Sequence, residues 1–153
     1  MHNLADTLPV RRRMSAKYFL DTNIFVYSFD ARYPDKQKCA KELIGKALED
    51  GNGCISYQVV QEFLNVSTRK FAASLSANDA EGYLTMVLEP LCEIFSTINL
   101  YRKALEIIER WQYSFYDSLI IASAASADCR ILYTEDLQHD QKIENLKIIN
   151  PFI

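Results

Sequence analysis

The sequence predicts an α/β fold, a central parallel sheet of four or five strands with helices on both faces. One observation predicts it and two more bound it. Short apolar runs alternate along the chain with stretches of helical period, the pattern of strands joined by helical crossovers. The 153 residues, 49% hydrophobic and 24% charged, suffice for one domain with a full core. The longest run of apolar and small residues, Leu119 to Ala127, is far below the roughly 18 residues that a bilayer requires.

Each element has a local reason. Residues 17–20 (KYFL) read as a first strand, and Asn23 to Phe29 as one or two helical turns. Asp35 to Asp50 is an amphipathic helix closed by the GNG turn at 51–53. Cys54 to Ser56 is a second strand, after which Ser56 is expected to cap a helix reaching Phe71. A helix from Ser76, with Asp79 in its first turn, ends near Pro90. Glu93 to Ser96 is a third strand, and Asn99 is expected to cap a helix to Trp111. A helix over Phe115 to Ala127 precedes strands at Arg130–Thr134 and Leu146–Asn150. Residues 1–15, with Arg11, Arg12 and Arg13, lack periodicity and read as a flexible extension or basic arm, leaving a domain over 16–153. No signal peptide is expected there, because Lys17 and Asp21 interrupt any apolar run after the arginines.

Composition excludes several classes. Cys39, Cys54, Cys92 and Cys129 form no CxxC pair and no zinc spacing, so free thiols and a reducing, cytoplasmic setting are expected. Four scattered glycines supply no phosphate-cradling loop. The net charge of -3 argues, taken alone, against a basic nucleic-acid coat.

Ligands of parallel α/β sheets bind beyond the carboxyl ends of the strands, and acids fall there. Asp21 follows the first apolar run and Asp136 the fourth, each also a common turn residue. On the helix after the second strand, Glu62 lies at the margin of the apolar face, with Val66 and Val59 about 40° and 60° away. Asp117 falls inside the apolar arc, with Ala124, Ile121 and Ile120 about 20°, 40° and 60° away. No Lys or Arg between Trp111 and Cys129 is available to pair with it, so it reads either as a cap or as a buried acid kept for chemistry. Two such carboxylates about 5 Å apart repel by about 3 kcal/mol at an effective dielectric near 20. A cluster therefore needs protons or a cation, and an all-oxygen set suits Mg²⁺ or Mn²⁺.

The segments FLDTNIFVYSFD (19–30), SYQVVQEFLNV (56–66), SFYDSLIIASAASADCRILYTEDLQH (114–139) and IINPF (148–152) resemble, in this order and spacing, the PIN domain family, of the kind found in VapC-type toxins of bacterial toxin–antitoxin systems. The resemblance runs from Ala16 to Phe152 and implies a PIN-like three-layer fold. It implies that Asp21, Glu62, Asp117 and Asp136 are catalytic metal-binding acids, supported by Asn23 and Thr134, with Glu135 pointing elsewhere. It further implies Mg²⁺- or Mn²⁺-dependent cleavage of RNA to 3′-hydroxyl and 5′-phosphate ends, silencing by a cognate antitoxin, and a homodimer. One departure is visible, since Asp140 follows His139 where such members often carry glycine. His139 and Arg69 read as surface residues or phosphate contacts, and Tyr27, Phe63, Tyr113 and Tyr116 as core or base-stacking groups.

The alternative is a non-catalytic PIN-like module that binds RNA or protein. A phosphatase or phospho-receiver on a similar sheet is disfavoured, because position 23 is Asn rather than a second Asp and no lysine follows RILYT. Setting the four acids aside leaves 16 acids against 17 bases, so the acidity is concentrated where a cation would offset it.

Overall fold

The computed structural model describes residues 16–153, so the predicted extension at 1–15 lies outside the described residues. Its strands are β1 (Tyr18–Leu20), β2 (Gly53–Ser56), β3 (Cys92–Ile94), β4 (Ile131–Tyr133), β5 (Lys142–Ile143) and β6 (Leu146–Ile149). The helices are α1 (Thr22–Tyr27), α2 (Pro34–Asp50), α3 (Tyr57–Arg69), α4 (Ala77–Tyr83), the single turn α5 (Glu89–Leu91), α6 (Ile98–Trp111) and α7 (Phe115–Ser126). The six strands form one sheet in the order β3-β2-β1-β4-β6-β5. All pairings are parallel except β5 with β6.

Every residue of β1 and β2 is buried, so both faces of the sheet centre are covered. Phe19, Leu20, Ile55, Leu132 and Ile148 form the fully buried sheet core. Phe63 extends it, stacked on Tyr83 with ring centroids 4.9 Å apart and edge-on to Phe25 at 6.3 Å. The turn after α2 needs its glycines. Gly51 has φ +71°, and a Cβ on Gly53 would lie 2.3 Å from Ala47 Cβ.

Among its strands, helix ends and turns, the structure departs from the sequence expectations as follows. The helix expected from Ser76 to Pro90 widens into a π-helical turn at Leu84–Leu88. Pro90 explains this, since it lacks an N–H and its ring crowds the carbonyl one turn back. β3 spans Cys92–Ile94 rather than Glu93–Ser96, and its register against β2 shifts between Ile55 and Ser56. Thr97, not Asn99, caps α6, its Oγ1 accepting from Leu100 N at 3.1 Å. The sheet has a sixth strand, β5, because the chain after β4 returns as a short hairpin with Glu144 at φ 54°.

Asp140 adopts φ 67°, the left-handed conformation that glycine takes most freely, so the turn tolerates an aspartate in the place of glycine. Its carboxylate lies 3.3 Å from His139 Nε2 and 3.5 Å from Lys147 Nζ. His139 Nδ1 accepts from Asn150 N at 2.9 Å, so this imidazole ties the loop to the C-terminal strand. No described helix is long and apolar enough to cross a membrane. Among the described residues all four cysteines are free.

Candidate active site

Strand order reverses between β1 and β4: the chain runs outward from β1 through β2 to β3, then crosses to the other side. The crevice beyond the carboxyl ends of the strands at such a reversal is where ligands bind. Asp21 directly follows β1 and is the N-cap of α1, its Oδ1 accepting from Thr22 N at 2.7 Å. Thr134 directly follows β4 and donates from Oγ1 to Asp21 Oδ2 at 2.7 Å.

The three residues after β4 point three ways. Thr134 turns inward and is wholly buried. Glu135 turns away to Lys36 Nζ at 2.7 Å and to the Tyr27 hydroxyl, which donates to it at 2.8 Å. Burial opposes the Glu135 carboxylate, yet Lys36 and Tyr27 outweigh it and hold its pKa below the usual value. Asp136 is exposed and accepts at Oδ2 from Asn23 Nδ2 at 3.0 Å. Asn23 Nδ2 also lies 3.3 Å from Thr134 Oγ1, while its Oδ1 is buried without a partner among the described residues.

α3 and α7 supply the other acids. Glu62 is half-buried, and its Oε1 accepts from Thr22 Oγ1 at 2.7 Å. Asp117 sits in the first turn of α7, capped by Ser114, whose Oγ accepts from Asp117 N at 3.2 Å. Asp117 is partly exposed rather than sealed in the core. Ser118 through Ala124 are all buried, so α7 is covered on all sides and its wheel has no single inward face. Position at the helix start, not periodicity, brings Asp117 to the groove.

Asp21, Glu62, Asp117 and Asp136 all line one groove of about 300 Å³ with Thr22, Gln58, Asn65, Val66, Lys70, Tyr116 and Ile120. No Lys, Arg or His lies within ion-pairing distance of any of the four among the described residues. A larger cleft of about 930 Å³ at the opposite end of β4, lined by Arg130, Asp140 and Lys142 among others, holds none of these acids. Asp21 is 7% exposed, and burial above all pushes its pKa up to about 7. The Thr134 hydroxyl and Thr22 N–H oppose the rise, and the Asp136 and Glu62 charges add to it.

The donor set is all oxygen and lacks a thiolate or imidazole, which suits a hard divalent cation. Among the described residues no three His, Cys, Asp or Glu side chains stand close enough to enclose an ion. The set fits a cation held by one or two carboxylates and otherwise by water, the usual way of Mg²⁺, rather than a closed carboxylate cage.

The other aromatic and basic candidates separate. Tyr27 is tied to Glu135, Tyr113 donates to Gln141 Oε1, and Phe63 is core. Only Tyr116 of that group lines the groove, and Lys70, not Arg69, reaches it from the end of α3. Lys70 and Gln58 have no pattern of their own in the sequence, and the Glu62 stripe on α3 is the one signal that would have found them.

The family model described as PIN domain matches residues 18–144. The chain belongs to the PIN domain family. No curated protein sequence matches it. Solved structures resemble this PIN domain in fold. A toxin–antitoxin complex from Klebsiella pneumoniae matches with a TM-score of 0.62 and 19% identity, over 88% of this chain and 98% of that one. VapC20 from Mycobacterium tuberculosis, a toxin that cleaves the sarcin–ricin loop, matches at 0.54 and 19%, over 78% and 90%. VapBC2 from Rickettsia felis, bound to promoter DNA, matches at 0.58 and 20%, over 86% and 96%.

Proposed function

We propose that this PIN domain is a Mg²⁺- or Mn²⁺-dependent endoribonuclease, the toxin of a VapC-type toxin–antitoxin pair, with RNA as substrate and a cognate antitoxin as partner. One observation carries the reading: four carboxylates line a single groove at the sheet's reversal point, with no cationic side chain among the described residues paired to any of them. Left without a cation, that arrangement is electrostatically costly, and burial together with the neighbouring acids raises the pKa of Asp21. Similarity to VapC20 and to toxin–antitoxin structures supports the toxin reading.

One or two of Asp21, Glu62, Asp117 and Asp136 would hold the cation directly, and the others would hold it through its water. When bound, it neutralises charge developing on the phosphate and makes water more acidic. The chain's own residues do the rest. Thr134 fixes the Asp21 carboxylate through Oδ2, and Asn23 fixes Asp136. Thr22 occupies Glu62 Oε1, which leaves Oε2 to take a proton from the attacking water. Water adds to phosphorus, the bond from phosphorus to the 3′-oxygen breaks, and that oxygen takes a proton from solvent water and leaves as a 3′-hydroxyl. Purified protein incubated with total RNA should cut it with Mg²⁺ or Mn²⁺ and not with EDTA. RNA left intact in both metals would make the domain a non-catalytic module.

A further inference from the structure

Tyr116 and Lys70 are among the groove residues that take no part in the acid chemistry. Tyr116 is 65% exposed, more than any other aromatic residue among those described. Its ring has one aromatic neighbour, Phe115, edge-on with centroids 5.3 Å apart. Its main chain is held, because Gln58 Nε2 donates to the Tyr116 carbonyl at 3.2 Å across the groove from α3. Gln58 is itself 7% exposed, and its Oε1 is buried without a partner among the described residues. A flat apolar face is thus presented to solvent on an anchored backbone, next in sequence to Asp117. Lys70 caps the carboxyl end of α3, is exposed, and has no carboxylate within 4 Å among the described residues. It lines a groove with four acids and pairs with none.

We propose that Tyr116 and Lys70 are substrate-positioning residues for single-stranded RNA: Tyr116 stacks on an unpaired base beside the scissile phosphate, and Lys70 takes a neighbouring phosphate. The proposal rests on the nuclease reading of the groove. A duplex hides both faces of each base, so a stacking face at the site accepts only an unpaired nucleotide. Every base has such a face, so Tyr116 selects strandedness rather than base identity. Lys70 supplies one point charge for the backbone. An apolar peptide fits the groove less well, since Val66 and Ile120 are its only aliphatic lining.

The test uses the full chain with two readouts. One is anisotropy of a fluorescein-labelled 12-nucleotide oligouridylate, free or annealed to oligoadenylate, in Ca²⁺. The other is cleavage of total RNA in Mg²⁺. Tyr116→Ala should weaken single-strand binding about tenfold, while Tyr116→Phe, which keeps the ring, stays within about twofold. Lys70→Ala should weaken binding and reduce the salt slope by about 0.7, with Lys70→Arg close to wild type. In cleavage both alanine variants should raise KM and leave kcat within about twofold. If the wild type cuts RNA but Tyr116→Ala binds the single strand as wild type does, or if the wild type prefers the duplex, the proposal fails and the nuclease reading stands. The ring is then left as a contact for a protein partner. A wild type that cuts nothing overturns the nuclease reading and this proposal with it.

Discussion

Thr134 Oγ1 donates to Asp21 Oδ2 at 2.7 Å, linking the carboxyl ends of β1 and β4 at the most deeply buried acid of the groove. The same hydroxyl accepts from Asn23 Nδ2 at 3.3 Å and from Asp136 N at 3.1 Å. One buried oxygen therefore sets the positions of two acids that repel each other.

Thr134→Val keeps the shape and removes that oxygen. Stability should fall by about 1–3 kcal/mol, the cost of leaving buried partners unpaired. The loss should be larger at pH 8 than at pH 5, because the hydroxyl serves the ionised form of Asp21. Denaturant unfolding at both pH values measures it, and equal losses would mean that Asp21 is not the partner that matters.

Asp21 itself gives a pH signature. Its carboxyl holds its proton up to about 7 in the fold, against 3.8 as the ordinary value. The folded state thus binds the proton more tightly than the unfolded one. Stability is full below the lower value and lost as pH rises towards the upper. The difference amounts to at most about 4 kcal/mol. Metal-free wild type should therefore weaken between about pH 4 and 7 relative to Asp21→Asn, and Mg²⁺ above pH 7 should raise the melting temperature of the wild type only. Parallel pH profiles for the two proteins would contradict this.

At Asp140 the backbone conformation, φ 67°, decides the outcome. Asp140→Gly should be close to neutral, since relief of the left-handed conformation offsets two exposed ion pairs. Asp140→Ala should cost about 1 kcal/mol, because it keeps the Cβ and loses those contacts. Thermal melts of the two variants give the comparison.

Gly53→Ala places a methyl 2.3 Å from Ala47 Cβ and 3.0 Å from its Cα. Backbone must shift, so a loss of about 1–3 kcal/mol is expected. Chemical denaturation checks it, and an unchanged midpoint would show that α2 moves freely against β2.

Much of the fold and the groove was legible in the residues. Asp21 and Asp136 stand where apolar runs end, and the structure puts both just beyond β1 and β4. Glu62, at the edge of the α3 apolar arc, is half-buried as that position implies. Asp117 was legible as an unpaired acid with no local cation, but its wheel position was no guide to where it lies, because periodicity fails on a helix buried on all sides. Ser56 illustrates another limit. It occupies the N-cap of α3, yet its Oγ makes no cap bond and is buried without a partner among the described residues. The two-residue strand β5 is too short to leave a periodic signal, and the π-helical turn depends on how Pro90 is accommodated.

On the proposed reading, the four carboxylates act together on RNA through a divalent cation. The most direct measurement is cleavage of total RNA by purified wild type and by Asp21→Asn, Glu62→Gln, Asp117→Asn and Asp136→Asn, each with Mg²⁺ and with EDTA. The wild type should cut in Mg²⁺ and not in EDTA, and each variant that remains folded should lose at least about a hundredfold in rate, as expected when groups act as a unit. Cutting that persists in EDTA, or in folded Asp21→Asn and Asp117→Asn, would contradict it.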